Sequence, residues 1–81
     1  MRGARRSRKA VSHFAVCIEN TGYPVALEAR KIYRVVPDAA AALRNQIRIV
    51  DESGEDYLYP MEYFIPVELP QSLEDMLLRA S

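Results

Sequence analysis

The stretch Gln46–Phe64, QIRIVDESGEDYLYPMEYF, decides the fold. Its first part alternates: Ile47 and Ile49 point one way, Arg48 and Val50 the other. Period two predicts a strand over Gln46–Asp51. Glu52-Ser53-Gly54-Glu55 follows, with Gly54 where a tight turn requires positive φ. Asp56–Tyr59 alternates again, placing Tyr57 and Tyr59 on one side and Leu58 on the other. Two strands joined by a Gly-containing turn make a hairpin. Pro60-Met61-Glu62-Tyr63-Phe64 opens with Pro and is too short for an α-helix, so a 3₁₀ turn is expected.

The same reasoning extends outward. His13–Glu19 alternates, with Phe14, Val16 and Ile18 on one face and Ala15 and Cys17 on the other. Both faces are apolar, which suits a strand covered on two sides. Asn20–Pro24 has turn chemistry. Leu27–Arg30 has some helical character, but Ile32–Val36 is β-branched and aromatic and predicts a second strand ending at Pro37. Asp38 is placed to N-cap a short turn over Ala39–Arg44, and Asn45 to close it in the left-handed conformation. Ile65–Leu69 predicts a last strand, which lies at an edge or is interrupted at Pro66, because Pro66 has no N–H. Residues 70–81 hold a short helix: Ser72 and Asp75 resemble a capping box, and Leu73, Met76, Leu77 and Ala80 share one face. The expected organisation is a basic arm over 1–12, a small β domain over 13–69 and the helix over 70–81. About five strands, tight connections and no long helix predict a mainly β fold, a small barrel with a short C-terminal helix.

Composition bounds the function. Eighty-one residues make one domain. A single cysteine, Cys17, excludes an internal disulfide and any zinc site that needs two thiolates, and it favours the cytoplasm. The basic start lacks the apolar core of a signal peptide, and no apolar run of membrane-spanning length occurs. Charge is zero overall but uneven: Arg2, Arg5, Arg6, Arg8 and Lys9 precede the first acid, Glu19. From Ala10 onward, six bases meet eleven acids, a net −5.

Catalysis is not expected. His13 and Cys17 lie four residues apart on one strand, about 13 Å at roughly 3.3 Å per residue, too far for a nucleophile–base pair. No phosphate-cradling glycine loop is present. Counted as a calcium loop from Asp51, the sequence puts Asp56 where glycine is required, and strands flank it instead of helices. No metal or cofactor is therefore expected. The acidic tip Asp51, Glu52, Glu55 and Asp56 reads as a solvated turn.

The ending Tyr59-Pro60-x-x-Tyr63-Phe64, followed by a short strand, resembles the strand, 3₁₀ turn and strand that close Src-homology-3 domains. The segment 13–69 also resembles a group of small uncharacterised bacterial proteins carrying "GYPVALEARKIYRVVPD … IRIVDESGEDYLYP". The resemblance implies a Src-homology-3-like barrel. It does not imply that family's proline-peptide specificity, because the chain has no Trp and no early tyrosine pair.

Two functional expectations follow. In the first, the chain is a non-enzymatic protein-binding module, monomeric or weakly dimeric and not membrane-bound. Its partner is an unidentified protein, and its site is Tyr33, Tyr57, Tyr59, Pro60 and Tyr63 or the apolar helix stripe. The alternative is nucleic-acid binding through Arg5, Arg6, Arg8 and Lys9, supported by a stripe of Arg30, Lys31, Arg34, Arg44 and Arg48 on the folded surface.

Overall fold

In the computed structural model, which describes residues 13–80, the alternating runs become five strands and two helices. They are β1 (Phe14–Cys17), β2 (Ile32–Val36), α1 (Ala39–Ala42), β3 (Gln46–Val50), β4 (Asp56–Pro60), a 3₁₀ turn (Met61–Tyr63), β5 (Phe64–Val67) and α2 (Gln71–Ala80). All strand pairs are antiparallel, in the order β4-β3-β2-β1-β5. The chain is mainly β, as expected.

Register follows from which side chains must leave water. Ala15 lies opposite Tyr33, Cys17 opposite Phe64, Val35 opposite Ile49, and Ile47 opposite Tyr59. These pairs gather one inward set on a single sheet face, where Ala15, Cys17, Leu27, Tyr33, Ile49, Tyr59 and Phe64 form the core cluster. Phe14, on the other face of β1, is also buried, 5% exposed. Small residues on β1, which lies between β2 and β5, leave room for the rings of Tyr33 and Phe64, which meet edge to face at 6.3 Å. Slipping any strand by one residue would turn this set outward.

The loop between β1 and β2 covers the core. Leu27 is 1% exposed. Its burial contributes roughly 1.5–3 kcal/mol. The loop is tied down by hydrogen bonds: Leu27 N–H to Tyr23 O (3.0 Å), Asn20 Nδ2 to Leu27 O (3.0 Å) and Arg30 N–H to Cys17 O (2.6 Å). The neighbouring hairpin adds Glu52 N–H to Ala26 O at 3.0 Å.

Local chemistry sets the turns where the sequence places them. Asp38 caps α1 by accepting from Ala41 N–H at 3.0 Å. Asn45 and Gly54 take positive φ, 60° and 87°. Arg30 also has positive φ, 73°, which nothing in its residue type predicts.

The expected barrel closure is absent: β4 and β5 remain the two edges of an open sheet. Pro66 offers no donor to a second neighbour, and among the described residues β5 pairs with β1 alone. The sheet must still curl. A flat five-stranded sheet would hold its edges about 19 Å apart at roughly 4.8 Å per strand. The four residue steps from Pro60 to Phe64 cover at most ~14 Å.

The last strand starts at Phe64 and stops at Val67, earlier than the expected Ile65–Leu69. Helix α2 begins at Gln71, with Glu74 N–H donating to Pro70 O at 2.9 Å. Its Glu74 Oε1 lies 3.1 Å from His13 Nδ1. The basic arm 1–12 lies outside the described residues.

Candidate functional site: an aromatic ledge above a buried carboxylate

Three tyrosines from three elements meet beside the core. Tyr59 projects inward from β4 and is 4% exposed. Tyr63 comes from the 3₁₀ turn and Tyr23 from the β1–β2 loop. The Tyr23 ring stands edge-on to Tyr59, with centroids 4.9 Å apart, and to Tyr63 at 6.2 Å. Pro60 ends β4 and leads into the turn that carries Tyr63.

The hydroxyls of this group have different fates. Tyr59 Oη donates to Asp51 Oδ2, and Tyr63 Oη donates to Thr21 O at 2.9 Å. Tyr23 is 38% exposed. It is also the one tyrosine whose hydroxyl has no hydrogen bond among the described residues. Burial chiefly raises the Tyr63 hydroxyl's pKa, and the charges of Glu19 and Glu62 add to the effect. Glu19 accepts from the N–H of Thr21, whose carbonyl holds the Tyr63 hydroxyl, and Glu62 precedes Tyr63 in the 3₁₀ turn, so both acids are neighbours of this ledge.

Beneath the ledge lies a carboxylate that the sequence reading placed in solvent. Asp51 is 7% exposed. It accepts from Tyr59, from Ser53 N–H at 2.9 Å and from Ser53 Oγ at 2.5 Å. Burial pushes its carboxyl up, but these hydrogen bonds outweigh burial and hold it below the ordinary aspartate value. The same contact works oppositely on Tyr59, whose hydroxyl is held well above its ordinary value by burial and by Asp51. The solvated-turn reading thus fails at Asp51: the hairpin register turns it inward, where two hydroxyls and a backbone N–H satisfy it.

The remaining predicted residues lie elsewhere. Tyr33 is buried against Phe64. Its hydroxyl accepts from Glu28 N–H at 2.7 Å and donates to Glu52 Oε2 at 2.5 Å. Lys31 Nζ reaches the same carboxylate oxygen at 2.6 Å. That lysine's hydrogen bond, then Tyr33's, lowers the Glu52 pKa. Tyr57 shares the inner sheet face but sits near its edge, 51% exposed, donating to Glu55 Oε1 at 3.0 Å. The structure thus groups Tyr59, Pro60 and Tyr63 and sets Tyr33 and Tyr57 apart. Tyr23 was missing from the predicted set. Its signal, a Gly-Tyr-Pro in a turn, reads as punctuation until the loop folds over the sheet.

On the alternative surface, Lys31 pairs with Glu52 and Arg48 with Asp38 at 2.9 Å. Arg5, Arg6, Arg8 and Lys9 lie outside the described residues. Cys17 is fully buried, and burial raises its thiol's pKa. Among the described residues no group of three His, Cys, Asp or Glu is placed to hold a metal, and no helix is long and apolar enough to cross a membrane. No protein-family model matches the chain, and neither a curated protein nor a solved structure is found to be similar to it.

Proposed function

We propose that the chain is a non-enzymatic protein-binding module whose recognition surface is the ledge of Tyr23 and Tyr63 over Tyr59 and Pro60. The observation that carries this reading is Tyr23, a partly exposed ring braced edge-on by two others, whose hydroxyl has no hydrogen bond among the described residues. Rigid aromatic side chains with an unused polar tip lose little conformational entropy on binding and dominate interface energetics. The neighbouring acids, Glu19 beside Thr21 and Glu62 beside Tyr63, suit a partner segment that combines apolar groups with a basic residue. The strand order, with a 3₁₀ turn carrying the chain from one sheet edge to the other, supports a Src-homology-3-like relationship.

The test is affinity capture from native cell extract with the full chain, with and without nuclease. Tyr23→Ala is expected to reduce capture about tenfold or more. Tyr57→Ala, off the ledge, should leave capture unchanged, and nuclease should leave the partner bound. If Tyr23→Ala captures as well as the parent, the ledge is not the site. If the partner disappears with nuclease, nucleic acid bound through Arg5, Arg6, Arg8 and Lys9 replaces this reading.

A further inference from the structure

The outer face of the sheet, opposite the core, is covered at Phe14, 5% exposed, and beyond it carries an apolar row. Val16 stands directly between Ile32 of β2 and Ile65 of β5, its cross-strand partners. Ile32 is 44% exposed, Ile65 50%, and Ile18, two residues beyond Val16, 49%. Single exposed apolar residues need no explanation, but adjacent β-branched side chains on one face form a patch.

Helix α2 presents the complementary surface. Leu73, Met76 and Leu77 are 39%, 62% and 37% exposed. The helix turns other residues toward its own body: the Glu74 side chain, 15% exposed and against His13, and the half-buried Leu78. On a helical wheel the apolar stripe is centred about 130° away from those two. Among the described residues the stripe therefore keeps uncovered surface, most of it at Met76.

We infer that the chain forms a two-fold dimer in which α2 of each copy lies across the Ile18–Ile32–Ile65 patch of the other. Helix on sheet is the standard way for two such surfaces to leave water. Area argues for reciprocity. At about half exposure each of these side chains holds on the order of 90 Å², so one helix-on-patch contact buries only about 500 Å². The two-fold doubles this to roughly 1,000 Å², the lower bound of a specific interface. Each copy supplies both halves, so the assembly closes and leaves neither surface exposed. The chain's net charge of zero puts no overall repulsion between copies.

Sedimentation velocity on the full chain, from roughly micromolar to millimolar concentration, tests this. The mass is expected to rise from 9.2 kDa toward twice that value. Ile65→Lys and Met76→Glu, both at exposed positions, should each weaken dimerisation at least about tenfold. Circular dichroism checks that each variant stays folded. Mixed together, the two variants should recover dimers. One contact is then native, and the other sets the introduced lysine against the introduced carboxylate. A chain that stays monomeric throughout overturns the proposal. So does a dimer that both substitutions leave intact, or a mixture that stays as weak as its parts.

Discussion

At Asp51 the cost of burying a carboxylate is offset by three donors, two from Ser53 and one from Tyr59. Removing one side of such a contact costs more than the contact contributes, because the other side stays buried and unpaired. Asp51→Ala should therefore destabilise the fold by about 2–3 kcal/mol, and Tyr59→Phe by about 1–2 kcal/mol. Urea denaturation of both variants and the double variant checks this. The double variant should lose less than the sum of the singles, by about 0.5 kcal/mol or more. Full additivity would mean that the two groups act independently. The sequence placed Asp51 at the end of a strand and in the acidic tip of the hairpin, and the strand stops one residue earlier, at Val50. Whether its side chain faced water or Tyr59 depended on hairpin register, which residue type does not encode.

Among the elements, two positive-φ positions separate what local chemistry specifies from what packing imposes. Gly54, at φ 87°, has no atom within 4 Å of where a Cβ would sit. Gly54→Ala therefore meets only backbone strain and should cost about 1 kcal/mol. Arg30 has φ 73° without glycine's freedom, and its N–H donates to Cys17 O. Arg30→Gly relieves left-handed strain but adds unfolded-state entropy, so the net gain should be a few tenths of a kcal/mol. Thermal melts of the two variants should thus shift in opposite directions. Turn chemistry made Gly54 and Asn45 legible in advance. Arg30 was not, because its geometry is dictated by the loop returning over Leu27 to meet β1.

For the whole molecule, titration sets the limits of stability. Three carboxyls are held below their ordinary values. In Asp51 hydrogen bonds outweigh burial; in Asp38 the Ala41 N–H and then Arg48 act; in Glu52 it is Lys31 and then Tyr33. A depressed folded-state pKa stabilises above the unfolded value and loses that contribution as pH falls through the folded one. Two buried tyrosines, Tyr33 and Tyr59, are raised, chiefly by burial, so their contribution is present below the unfolded tyrosine value and is lost as pH rises past it. The melting temperature should be flat between about pH 5 and 9, falling below about pH 4 and above about pH 10. Asp51→Asn should flatten the acid limb. A profile peaking near the sequence pI of 6.6 would point to net charge instead.

The sequence by itself determined the strands, both helices, the hairpin and the 3₁₀ turn, and it narrowed β5 to an edge or an interrupted strand. Each rests on a signal within a few residues: alternation, a cap, a glycine, a proline without an N–H. Tertiary structure alone decided that the sheet stays open and that Asp51 is buried. It also decided that Tyr23 joins Tyr59 and Tyr63 while Tyr33 and Tyr57 stand apart, and that Ile32 and Ile65 flank Val16. The physical reason is one of range. Dihedral preference and periodicity act between chain neighbours, whereas these arrangements depend on which distant strands pair, in which register, and how far the sheet curls.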